Sequence, residues 1–98
     1  MNSKIPMYTP PDIHDQLPFR AWLGRYLGAT GWSQTMLARS VQVSPKTAHS
    51  WLTGCSLPQL GAILKICRLF SALFGIELAE MIIQATDAAQ ITLERGGC

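Results

Sequence analysis

The stretch that decides the fold is SQTMLARSVQVSPKTAHSWLTG, residues Ser33–Gly54. It reads as two short helices joined by a tight turn. Ser33 and Ser44 each stand just before a helical run, where a hydroxyl can accept from an otherwise unpartnered first-turn amide. Pro45 follows Ser44 at the first helical position, where its missing N–H costs nothing, and Gly54 is a helix stop. Two short helices can cross steeply only with a small residue at the crossing, and Ala38 fills that place between Leu37 and Val41, which also face inward. The apolar turn residue Val43 anchors the connection to the core. The second helix turns Ala48, Trp51 and Leu52 inward at i, i+3, i+4. Stepping 100° per residue from Ala48 places Lys46, Ser50 and Thr53 near the opposite side and Thr47 and His49 on the flanks. The exposed face is small, polar, and carries one cation and no acid. A face of that kind can enter a DNA major groove and hydrogen-bond base edges.

The flanking sequence supplies the rest of a small helical core. Phe19, Trp22, Leu23, Tyr26 and Leu27 recur at helical spacing after Pro18, predicting a helix that Gly28 and Gly31 end. Pro58 opens a fourth helix with Leu60, Ile63, Leu64, Cys67, Phe70 and Leu73 or Phe74 inward, broken at Gly75. A fifth starts near Glu77, with Leu78, Met81 and Ile82 on one face. Gln90–Leu93 alternates polar and apolar residues and reads as a short strand or a tail. Pro6, Pro10, Pro11 and Pro18 make the start of the chain an irregular arm. The expected organisation is an arm over residues 1–17, a domain over 18–84, and a tail over 85–98 that joins a dimer interface.

Net charge is +2 over 98 residues, but its distribution is uneven. Residues 16–76 carry Arg20, Arg25, Arg39, Lys46, Lys65 and Arg68 and no acid, whereas Glu77, Glu80, Asp87 and Glu94 follow with only Arg95 to offset them. An uninterrupted basic block is a candidate footprint for a polyanion. Charged residues are only 14% and hydrophobic residues 48%, which excludes a disordered polar chain and leaves apolar surface for self-association. The longest uncharged apolar stretch, Leu69–Ile76, is too short to span a membrane. The prolines stand where a signal peptide needs an apolar run, so a cytoplasmic protein is expected. Cys55, Cys67 and Cys98 are widely spaced, without a C-x-x-C pair, and read as reduced thiols. With no metal-ligand spacing and no nucleophile–base constellation, neither an enzyme nor a metal or cofactor is expected.

Gly31-Trp32-Ser33-Gln34, then Leu37-Ala38, Val43-Ser44, Trp51, Gly54 and Pro58, together resemble the Cro and phage-repressor (lambda-repressor-like) type of helix-turn-helix domain over about residues 19–83. That resemblance implies a compact all-α domain of five helices. It also implies sequence-specific binding of double-stranded DNA, usually as a homodimer on a palindromic operator, and most often repression. Carried onto this chain, it assigns Pro45, Lys46, Thr47 and Ser50 to base contacts. It assigns Ser33, Gln34, His49, Thr53 and Ser56 to phosphate, with Gln34 also bracing a recognition-helix side chain. Leu37, Ala38, Val43, Ala48 and Trp51 become the structural positions. Two residues depart from the family pattern: Gln42 stands where glycine is common because φ tends to be positive, and Leu52 sits where the family often has an acidic or polar residue. Pro45, at a base-facing position, can offer a base only apolar contact. Two other readings compete: an antitoxin-type DNA-binding regulator, and a helical protein-interaction module that has lost DNA binding. Trp22, Tyr26 and Trp51 read as core, Trp32 as a staple on the second helix, Cys55 as a loop thiol, and Lys4 as part of a floppy or dimer-packing arm.

Overall fold

The computed structural model describes residues 7–13 and 16–95. These form five helices, α1 (Phe19–Thr30), α2 (Gln34–Ser40), α3 (Pro45–Thr53), α4 (Leu60–Phe74) and α5 (Leu78–Arg95), with no strand among the described residues. Local chemistry sets most of the boundaries. Ser33 Oγ accepts from the Met36 amide and Ser44 Oγ from the Thr47 amide, so both serines cap as expected. The stops of α1, α3 and α4 are Gly31, Gly54 and Gly75, with φ of 72°, 86° and 68°. Gly28, by contrast, lies inside α1, and α4 begins at Leu60, after Pro58.

Pro18 precedes α1 and has no side chain that could cap it. The cap comes from the far end of the chain, where Thr92 Oγ1 on α5 accepts the Phe19 amide at 2.8 Å. α4 packs on α5, α2 on α3, and α1 against both α3 and α5. The Cα radius of gyration, 12.8 Å, matches the ~13 Å of a compact chain near 100 residues.

The core is built on five aromatic rings from two helices: Phe19, Trp22 and Tyr26 of α1 against Phe70 and Phe74 of α4. Their centroids lie 5.1–6.0 Å apart in tilted, stacked and edge-on pairs. Such pairs contribute about 0.5–1.5 kcal/mol beyond their buried area. The polar ends of Trp22 and Tyr26 converge on one acceptor: Gln84 Oε1 takes the indole N–H at 3.1 Å and the phenol O–H at 2.8 Å. Burial pushes the Tyr26 phenol above its ordinary value, the Gln84 bond lowers it in part, and Glu80 raises it further. Trp22, Tyr26 and Trp51 are core residues, as expected.

Several expectations need correction. Leu60 is not inward; it is 65% exposed, and the α4 core stripe is Ile63, Ile66, Cys67, Phe70, Leu73 and Phe74. Gln90–Leu93 is neither strand nor tail but helix, because α5 continues to Arg95 and buries Ala85 and Ala88. Residues 7–13 are irregular but not floppy throughout. The Tyr8 amide donates to the Leu73 carbonyl at 3.1 Å, its hydroxyl accepts from Trp32 Nε1 at 3.2 Å, and its ring meets Phe74 at 6.1 Å. Lys4 lies outside the described residues. Cys67 is free and buried, and burial pushes its thiol up to about 11. Cys55 is disulfide-bonded, contrary to the expectation of three reduced thiols; Cys98 lies outside the described residues.

Candidate nucleic-acid interface

The candidate surface is α3 with the turn before it and the loop after it. Leu37 and Ala38 of α2 and Ala48 and Trp51 of α3 are buried, and the half-buried Val43 packs against them. The Val43 amide donates to the Ala38 carbonyl at 2.9 Å, which closes the turn. Gln42 takes φ 63°, the only positive value at a non-glycine position among the described residues. That is the left-handed conformation its place in the turn implied. Lys65 of α4 reaches over it, Nζ donating to Gln42 Oε1 at 3.2 Å.

Pro45, Lys46, His49 and Thr53 are exposed on the outer face of α3, while Thr47 and Ser50 are half-buried. The candidate residues are tied together more than a helical wheel conveys. Gln34 Nε2 donates to the Pro45 carbonyl at 3.2 Å, and Gln34 Oε1 lies 3.1 Å from His49 Nδ1. One amide therefore links the start of α2 to both the first turn and the middle of α3. The Ser44 and Thr47 hydroxyls are 2.9 Å apart, so Thr47 is engaged in the cap. Ser56 Oγ donates to Ser50 Oγ at 3.0 Å, and the Cys55 amide donates to the Ser50 carbonyl at 2.9 Å. The loop after α3 thus folds back on Ser50. Thr53 Oγ1 donates to the His49 carbonyl at 3.0 Å. Ser33, assigned to phosphate, spends its acceptor on its own helix.

Two cations that the reading of the sequence did not assign to the site belong to its rim. Arg20 of α1 crosses the end of α3: a Cβ built on Gly54 would meet Arg20 Cδ at 2.6 Å. Lys65 stands at the turn. The signal for both was the acid-free block, since any cation in residues 16–76 lacks a local carboxylate partner. The first turn of α4 has no side-chain cap from Gln59, so its amides are open to water or an anion. It borders a cavity of about 380 Å³ that Thr47 and Trp51 also line.

Among the described residues no group of three or more His, Cys, Asp or Glu is placed to hold a metal ion. No helix is long and apolar enough to cross a membrane. No protein-family model, no curated protein and no solved structure matches this sequence.

Proposed function

We propose that the protein is a sequence-specific DNA-binding transcriptional regulator, acting as a repressor by occupying an operator as a homodimer. One observation carries this reading. The exposed face of α3 holds Lys46 and small polar groups and no carboxylate, and it is fixed to α2 by a buried crossing and by the Gln34 bonds. Such a face can hydrogen-bond base edges, while Arg20, Arg39 and Lys65 around it supply charge toward phosphates. The acids of α5 are confined to the segment after residue 76, which suits an element held away from DNA. Ile83 and Leu93, 55% and 67% exposed on α5, are apolar surface that a second copy would cover.

The test is fluorescence anisotropy of labelled duplexes, one of random sequence and one recovered from a random-sequence pool by selection. The selected duplex is expected to bind more tightly than the random one. Lys46→Ala should cost about 1–3 kcal/mol per subunit on the selected duplex alone if the ammonium reads a base edge. If it touches only phosphate, both duplexes weaken alike and the salt slope falls by about one per subunit. A folded protein that binds neither duplex at low salt refutes the reading and favours the interaction module.

A further inference from the structure

The bond between Gln34 and His49 fixes which nitrogen of the imidazole carries its proton. Gln34 Nε2 must be the atom facing the Pro45 carbonyl, because the flipped amide would set oxygen against oxygen. Gln34 Oε1 is then the atom facing His49 Nδ1, and an amide oxygen only accepts. His49 Nδ1 therefore donates. In the neutral ring the remaining nitrogen, Nε2, holds a lone pair; in the imidazolium it holds a second N–H. Nε2 makes no hydrogen bond within the described residues, and His49 is exposed on the outer face of α3. Protonation thus leaves the Gln34 brace intact and inverts only the outward edge, from acceptor to charged donor.

α3 packs against α1 and α2. The titratable and charged groups on those elements are Arg20, Arg25 and Tyr26 of α1 and Arg39 of α2, with Lys46 on α3 itself. None is a carboxylate, so an imidazolium at residue 49 meets only like charge in the free protein. A duplex brings the missing anion, with one negative charge per ~1.7 Å of helix axis. DNA is also rich in acceptors, at phosphate oxygens and at guanine N7 and O6, which a lone pair repels and an N–H engages.

We propose that His49 couples DNA binding to the uptake of one proton per subunit, its Nε2–H donating to an acceptor on the duplex. This rests on the DNA-binding reading above. Occupancy then becomes a function of acidity, to be followed over about pH 5–8, where free histidine changes charge.

The experiment measures anisotropy of the same two duplexes across that range at constant ionic strength. The dissociation constant of the wild type should fall toward acid by up to about tenfold per pH unit per subunit. His49→Gln, whose amide can still donate to Gln34, should bind with a flat profile. An equal slope on both duplexes identifies the acceptor as phosphate; a slope confined to the selected duplex identifies it as a base edge. Imidazole nitrogen NMR of the free protein at alkaline pH should show the neutral ring protonated on Nδ1. Binding with a flat wild-type profile, a slope that survives in His49→Gln, or a neutral ring protonated on Nε2 overturns the proposal and leaves the DNA reading standing. No binding to either duplex at any pH overturns both.

Discussion

Two glycines that end helices provide a matched pair for measuring how the recognition helix is closed. Gly31 and Gly54 both cap in the left-handed region, at φ 72° and 86°. An alanine there costs about 1–2 kcal/mol in backbone strain, less about 0.4–1 kcal/mol because alanine also narrows the unfolded ensemble. For Gly31→Ala the account ends there, since an added Cβ finds nothing within 4 Å. Gly54→Ala has a second term. The new Cβ would lie 2.6 Å from Arg20 Cδ and 3.3 Å from its Nε, so the arginine side chain must shift. A cation near a helix C-terminus is worth about 0.3–1 kcal/mol. Gly31→Ala should therefore destabilise by roughly 1 kcal/mol and Gly54→Ala by roughly 0.5 kcal/mol more. In a domain of this size, each 1 kcal/mol lowers Tm by about 4–8 °C. The assay is urea denaturation of both mutants, each in the wild-type and the Arg20→Ala background. The excess at Gly54 should vanish once Arg20 is gone, while the Gly31 cost stays the same. Coupling between positions 20 and 54 below about 0.3 kcal/mol, the limit of ordinary additivity, would refute the placement of Arg20 over the cap.

Other perturbations test other parts of the molecule. Gln42→Gly should raise stability by about 0.5–1 kcal/mol in a denaturant titration, because it releases the strain at φ 63° at the cost of a freer unfolded chain; clear destabilisation would mean the Lys65 bond outweighs the strain. The Cys67 thiol, raised by burial from 9.0 to about 11, holds its proton more tightly folded than unfolded. Its contribution is therefore complete below pH 9 and is lost as pH climbs from 9 toward 11. Cys67→Ala should flatten that part of the stability–pH curve, and a curve of unchanged shape would contradict the burial.

What could be read from the sequence was whatever a few neighbouring residues decide. The Ser33 and Ser44 caps and the stops at Gly31 and Gly54 are local events, and each is found where its own residues put it; the left-handed Gln42 was implied only by the family resemblance. Phase was harder. In α4 the inward Ile63, Cys67, Phe70 and Leu73 or Phe74 were expected, but Leu60 at the helix start is exposed and Ile66 is buried instead. Gln90–Leu93 failed for a different reason: four residues sample too little of a period to separate alternation from a helical turn. The site divides in the same way. The inward and outward faces of α3 follow from Ala48 and Trp51, but the pairing of Gln34 with His49 spans 15 residues and that of Ser50 with Ser56 needs the loop to turn back. Side-chain bonds of that kind depend on how elements meet, and spacing does not encode them.

The bond from the Phe19 amide to Thr92 Oγ1 joins residues 73 positions apart, and it has a consequence for how the protein is made. At ~5–20 residues per second, the ribosome needs several seconds to add Thr92 after Phe19. Throughout that interval the first turn of α1 lacks its cap, and Trp22 and Tyr26 lack Gln84, the acceptor for both. The nascent chain can therefore bring the α1 and α4 rings together before the polar ends of Trp22 and Tyr26 have a partner. A message truncated before α5 would leave the first turn of α1 uncapped and the polar ends of Trp22 and Tyr26 without their acceptor.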